Sequence, residues 1–231
     1  MYSTITKKDY FAWLDAGAFC DKRPRLKSIQ DSFILGCLSD VENCKIAEIG
    51  GGDSRVLWKL KEKNECWNID KFEGAGQGPK SAKQEDGIII AKTFMGDFSN
   101  EIPDKFFDYV FSISVLEHVL ENDLDNCFKD IERILKPSGK TFHAIDCYLG
   151  DSISENPSWM RYLDAVSKSC NSLKLLQEPA ISRNAVFRSY MASDSDINMW
   201  NRNQLVPRLS ELRAYNQCIS LKAGWERCHD L

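Results

Sequence analysis

The sequence predicts an α/β fold, a mostly parallel sheet with helices on both faces, on three observations. From Lys45 onward, short apolar runs of strand length alternate with stretches whose apolar residues recur at spacings of three and four. Repetition of strand, helix and strand means βαβ units, which place helices on both sides of a parallel sheet. A glycine triplet, Gly50-Gly51-Gly52, lies between the first run and the first helical stretch. Finally, 231 residues with 43% hydrophobic and 28% charged are enough to bury one substantial core.

In chain order, residues 1 to 40 read as helices that cover the sheet. Tyr10, Trp13 and Leu14 make one apolar stripe, and Leu26, Ile29, Phe33, Ile34 and Cys37 make a second after Pro24. Lys45 to Ile49 reads as a strand, Arg55 to Lys63 as a helix, and Glu65 to Ile69 as a strand. Ile88 to Lys92 is a short apolar run, and Phe107 to Ser112 another strand. Leu124, Phe128, Ile131 and Leu135 mark a helix that stops at Lys136, before Pro137-Ser138-Gly139. Lys140 to Ile145 is the next strand. Beyond Asp146 the expected pattern is a helix over Trp159 to Leu176, a strand over Ala185 to Tyr190, a helix over Leu205 to Cys218, and a short last strand entered at Ile219 to Leu221. The expected organisation is one domain over 1–231: cover helices at 1–44, a ligand-binding core at 45–146, and a second-substrate part at 147–231.

Composition excludes several functions. Thirty Lys and Arg against 34 Asp and Glu leave a net charge of -4, so no global basic field attracts nucleic acid or acidic lipid. The nine cysteines are scattered without a C-x-x-C pair, which reads as reduced, packed thiols in a cytoplasmic protein. The N-terminus lacks a continuous apolar segment of the secretory kind, and no run approaches the roughly 20 apolar residues that cross a bilayer. The expectation is a soluble protein without a membrane or nucleic-acid partner; a homodimer is compatible with it. Acidic residues form no dense cluster with histidine, so no metal site is expected.

The chemistry is written at strand ends. Glu48-Ile49-Gly50-Gly51-Gly52-Asp53-Ser54 lets a ligand approach the backbone closely, and the helix that follows offers free N–H groups. A nucleotide-like ligand suits that place. Arg55 stands where the dinucleotide fingerprint needs its last glycine, which argues against nicotinamide or flavin, and no Gly-Lys-Ser/Thr follows for a P-loop. Asp70 ends the next strand, where an acid can accept both hydroxyls of a ribose, although a strand-ending Asp is often only a turn residue. In Met95-Gly96-Asp97-Phe98 the acid can accept from an adenine amino group while the ring packs against the base.

With Ser112-Ile113-Ser114-Val115-Leu116-Glu117-His118-Val119 and Leu135-Lys136-Pro137-Ser138-Gly139-Lys140, the order and spacing of these motifs over roughly residues 45 to 146 resembles the class I S-adenosylmethionine-dependent methyltransferases. The segment V-L-E-H is similar to that of one of their subgroups. The resemblance implies a Rossmann-like, doubly wound seven-stranded sheet with a reversed last strand. It also implies that S-adenosylmethionine is the cofactor and S-adenosylhomocysteine the product. Glu48 would organise the first loop, and Gly50, Gly51 and Gly52 would border the methionine part. Asp70 would hold the ribose, Asp97 and the Phe98 backbone would read the adenine, and Ser112 would lie near the aminoacyl group. Two positions depart from the family pattern: Ser54 stands at the third glycine, where it suits a helix N-cap, and Ser138 at the first glycine after the proline.

For the acceptor, a hydroxyl needs a base, and the candidates are His118, His143 and Asp146. Each has a bland alternative: a cofactor-shell role for His118, a satisfied core histidine for His143, a turn former for Asp146. His229, at the far end of the chain, is set aside as solvated. Trp159, Arg161, Tyr162, Arg183, Arg188, Tyr190, Trp200 and Arg202 are candidate pocket walls, with core packing and solvated surface as the competing reading. The expected activity is methyl transfer to a small molecule, foremost a hydroxyl of a sugar, glycan precursor or secondary metabolite. N- or C-methyl transfer, or a non-catalytic binding protein built on the same domain, are the alternatives.

Overall fold

The computed structural model describes residues 1–21, 26–74, 78–81, 87–150, 158–181 and 216–229. Among them, β1 (Tyr2–Thr4), β2 (Lys45–Ile49), β3 (Glu65–Ile69), β4 (Ile88–Ala91), β5 (Phe107–Ile113), β6 (Leu135–Gly150), β7 (Leu173–Leu175) and β8 (Asn216–Arg227) form one sheet. Its order is β1-β8-β6-β5-β2-β3-β4, with β7 also paired to β8. Strands β2 to β6 run parallel, β8 is antiparallel to β6, and β1 and β7 are antiparallel to β8. Winding proceeds from β2 outward to β4 and then restarts at β5 on the other side. The carboxyl ends of β2 and β5 therefore frame a topological switch point, where open α/β sheets bind ligands.

Helices α1 (Lys7–Asp15), α2 (Leu26–Leu38) and α3 (Arg55–Leu60) pack on one face of the sheet; α4 (Glu121–Ile134) and α5 (Arg161–Ser169) pack on the other. Helix α4 buries Leu124, Cys127, Phe128, Ile131 and Ile134, one face at helical spacing, against Trp225 of β8 and Tyr162 of α5. Each such side chain contributes about 1.5–3 kcal/mol by leaving water. On the opposite face Phe33 of α2 meets Phe142 of β6 edge to face at 6.4 Å. Helix α1 begins with a reciprocal cap: Thr6 Oγ1 accepts the Asp9 N–H at 3.1 Å, and Asp9 accepts the Thr6 N–H at 3.0 Å.

Strands β2 and β3 have the boundaries that the sequence predicts, and β4 and β5 differ by one residue each. Elsewhere the structure corrects the prediction. Among the described residues the sheet has eight strands rather than seven, because Tyr2–Thr4 pairs with Ala223, Lys222 and Leu221 ahead of the cover helices. Helix α4 stops at Ile134: Lys136 precedes a proline, which disfavours helical backbone, and Leu135 is already extended and paired with Phe107. The helix expected over Trp159 to Leu176 ends at Ser169, and Leu173 to Leu175 is a strand. The last strand is 12 residues long rather than a short entry at Ile219. The strand expected over 185–190 and all but the end of the helix expected over 205–218 lie outside the described residues. Eight described cysteines are free thiols, and burial pushes those of Cys37, Cys66 and Cys127 up to about 12.

Candidate active site

Strand β2 ends in the glycine triplet, and the backbone there has no room for side chains. Gly50 sits at φ +62°, where a Cβ would come within 2.7 Å of Val115. On Gly51 it would come within 2.7 Å of the Asn68 side-chain oxygen. Asn68 in turn donates to the Gly52 carbonyl at 2.8 Å, and Asp70 accepts the N–H groups of Gly52 at 3.0 Å and of Phe72 at 2.7 Å. The tip of β3 thus fixes both the loop and the direction of its own carboxylate.

Ser54 caps α3, accepting the Leu57 N–H at 3.0 Å with φ -58°, an ordinary conformation that needs no glycine. Its hydroxyl also donates to Glu48. Burial pushes the Glu48 carboxyl up to about 8, against the bond from Ser54 that holds it down.

The loops after β2, β3, β4 and β5 surround a cleft of about 760 Å³. The glycine triplet, Glu48 and Asp70 line it together with Phe94, Met95 and Asp97 after β4 and Ser114, Val115, His118 and Val119 after β5. Helix α2 supplies Lys27 and Asp31 to the wall. Arg55 holds Asp31 with two hydrogen bonds of 2.7 and 2.8 Å, which clamps α2 to the start of α3 across the cleft.

The structure brings Glu48, Gly50, Gly51, Gly52, Asp70, Asp97 and His118 together around this cleft and takes other candidates out of it. Ser112 and His143 are fully buried in the sheet. The imidazole Nδ1 lies 2.8 Å from Ser112 Oγ and Nε2 lies 2.7 Å from Thr141 Oγ1, with the rings of Phe128 and Trp225 packed alongside. Burial holds His143 down to about 3. It is a neutral core histidine and no base, because side chains alternate along β5 and β6 and these two point into the helical layer. Phe98 is exposed, and its N–H donates to the buried carboxylate of Asp130 at 3.1 Å, not towards the cleft. Asp130 also accepts from Gly96 N–H at 2.8 Å and from Arg133 at 2.8 Å, so it shapes the loop that presents Met95 and Asp97.

Asp146 accepts from Gln30 at 2.6 Å and from Ser114 at 3.3 Å, one residue layer behind the cleft wall. Trp159 and Tyr162 belong to the core, and Arg161 donates to the carbonyls of Leu116 and Glu117. Arg183, Arg188, Tyr190, Trp200 and Arg202 lie outside the described residues. Sequence reasoning missed Asn68, Asp31, Asp130 and the role of Arg55. Asn68 alone carried a signal, as an amide within an otherwise apolar strand.

A nucleoside with an aminoacyl tail fits this arrangement: glycines leave the backbone bare, and Asp70 points its carboxylate at the strand tip. The side-chain oxygen of Asn68 is buried beside Gly51 without a partner of its own. Fold and cleft together define a class I methyltransferase domain, whose cofactor is S-adenosylmethionine. The methyltransferase domain family model matches residues 47–143 of this chain.

A sterol 24-C-methyltransferase, erg6, of Aspergillus fumigatus is 25% identical over 179 residues, which cover 69% of this chain and 46% of that protein. The chain thus aligns with about half the length of that curated relative. Among solved structures, geranyl diphosphate C-methyltransferase from Streptomyces coelicolor A3(2) superposes with a TM-score of 0.54 at 13% identity, over 84% of this chain and 74% of that one. The Haemonchus contortus phosphoethanolamine N-methyltransferase 2 superposes with a TM-score of 0.56 at 15% identity, over 85% and 52%. At these identities the structural likeness is one of fold.

Proposed function

We propose that the protein is a methyltransferase that transfers the methyl group of S-adenosylmethionine to a small molecule. The observation that carries this reading is the first loop: bare glycines, a capped helix start and the Asp70 carboxylate converge on one cleft at the switch point. The relatives named above act, by their names, on a sterol, geranyl diphosphate and phosphoethanolamine, which supports a small acceptor.

When bound, the cofactor supplies an electrophilic methyl carbon and becomes S-adenosylhomocysteine. The chain's own part is alignment and proton handling. Asp70 would hold the ribose, Asp97 the adenine and the glycine loop the aminoacyl tail. The acceptor is assigned to the side of His118, which, with His143 in the core, is the one histidine of the cleft wall among the described residues. A hydroxyl acceptor, such as that of a sugar or secondary metabolite, would pass its proton there. Nitrogen is the second reading, favoured by the Asp146 carboxylate, which accepts from Ser114 of the cleft wall. Calorimetric titration with S-adenosylhomocysteine tests the assignment: heat of binding at one site per chain is expected, and none would overturn it.

A further inference from the structure

Helix α4 holds the loop after β4 from behind. Gly96 sits at φ +107° and Phe98 at φ +51°, both in the left-handed region, so the chain turns twice around Asp97. The two turns bring the N–H groups of Gly96 and Phe98 to one point, where Asp130 Oδ2 accepts them at 2.8 and 3.1 Å. Asp97, between them, donates its own N–H to the Phe94 carbonyl at 3.3 Å and lines the cleft. The loop is seated closely, since a Cβ on Gly96 would come within 3.2 Å of the Cys127 backbone nitrogen in α4.

Asp130 is 1% exposed, and its second oxygen is occupied as well. Arg133, one turn further along α4, donates to Oδ1 at 2.8 Å and reaches back to the carbonyls of Ile102 at 2.8 Å and Ser99 at 3.4 Å, with Asp104 beside it as a second anion. One buried carboxylate and one guanidinium thus fasten the segment from Gly96 to Asp104 to the helix. Charge-assisted bonds shut off from water are among the strongest that a side chain makes.

This fastening decides what the loop can offer a base. A free peptide N–H at Phe98 could donate to a purine ring nitrogen or to an oxygen on C6; bonded to Asp130, it cannot. The one polar side chain from Phe94 to Phe98 is then the Asp97 carboxylate, which only accepts. An acceptor matches the amino group on C6 of adenine and opposes the oxygen that hypoxanthine carries there. We infer that Asp130 is a positioning residue that sets the base specificity of the cleft: it holds the Phe98 N–H back and Asp97 forward, so that a 6-amino purine is taken and a 6-oxo purine refused. The inference rests on the methyltransferase reading and assigns a specificity role to a residue behind the same site.

The test compares three ligands on the full chain by calorimetry: S-adenosylhomocysteine, S-inosylhomocysteine, which carries hypoxanthine in place of adenine, and S-ribosylhomocysteine, which lacks the base and is followed by competition. The wild type should prefer the adenine ligand to the hypoxanthine ligand at least about tenfold. Asp130→Asn keeps the size of the side chain, but its single carbonyl oxygen cannot serve both the two peptide N–H groups and Arg133, so the loop is released on one side. The preference should then fall at least about threefold, with S-ribosylhomocysteine bound as in the wild type. A variant that weakens all three ligands by one factor or keeps the full preference overturns the inference, as does a wild type that binds both bases alike. If Asp130→Asn does not fold, the wild-type amides decide: those of Gly96 and Phe98 should exchange slowly with solvent before any ligand is added, and free exchange at either overturns the inference. Failure of the folded wild type to bind S-adenosylhomocysteine overturns the methyltransferase reading itself.

Discussion

Ser112 Oγ lies 2.8 Å from Nδ1 of His143 inside the sheet, a bond between adjacent parallel strands that faces the helical layer. It removes from the cleft two residues that motif order alone would put there. It also leaves His143 with a hydroxyl on each ring nitrogen, a satisfied buried base with no proton to exchange.

His143 should therefore stay neutral in the native protein across the physiological range. Its folded pKa is depressed below the ordinary 6.5, so the unfolded chain takes up a proton first as pH falls, and the stability tied to this residue is lost between about 6.5 and about 3. In 15N-edited NMR its ring nitrogens should keep constant shifts from about pH 5 to pH 8. A titrating His143 resonance in that window contradicts its place in the core.

The Arg55 and Asp31 pair makes a second expectation. Asp31 is 1% exposed, whereas the Arg55 side chain is half exposed, so the pair is screened on one side only. Arg55→Ala leaves a buried carboxylate without its cation and should cost about 2 kcal/mol in urea unfolding, less than a fully buried pair would. Arg55→Ala combined with Asp31→Asn should cost less than the sum of the two single changes, because the orphaned charge is gone.

Glu48 makes apo stability depend on pH. Its folded pKa is raised from 4.5 to about 8, so its contribution is complete below about 4.5 and is lost as pH rises towards 8, when the unfolded chain ionises first. The loss is on the order of a few kcal/mol, at about 1.4 kcal/mol per unit. Glu48→Gln should narrow the difference between urea midpoints at about pH 5 and pH 8; an unchanged difference would show that Glu48 is already ionised.

Ser54 connects that carboxyl to the helix it starts. Ser54→Ala removes the cap and the hydroxyl that donates to Glu48, and should cost about 1 kcal/mol by thermal or urea unfolding. Because the lost bond had favoured the charged form, the variant should also steepen the decline in stability towards pH 8.

The half of the chain that binds the cofactor was legible because each of its parts is local. Lys45–Ile49 and Glu65–Ile69 are bounded by their own apolar runs, and the glycines and Asp70 follow them directly in the chain. Residues whose role depends on distant partners were not legible. Tyr2–Thr4 is a strand only because Leu221 to Ala223 lies beside it, and a three-residue run shows no period. In β8 the alternation of Leu221, Ala223 and Trp225 is weakened by the small Ala223 and Gly224, which have no bulk to mark a face. Whether a histidine near the end of a strand faces the cleft or the core is a matter of register, and a shift of one residue exchanges the two. Register puts His143 of β6 inside, whereas His118, in the turn Leu116–His118 after β5, is exposed.

The central claim is that this cleft binds S-adenosylmethionine through Asp70 and the glycine loop, and calorimetric titration of the wild type and Asp70→Ala with S-adenosylhomocysteine tests it most directly. Wild-type protein should bind one equivalent, and Asp70→Ala should bind at least about tenfold more weakly, the equivalent of about 1.4 kcal/mol, through loss of charge-assisted hydrogen bonds. Absence of binding to the folded wild type, or equal affinity in the variant, would contradict the account.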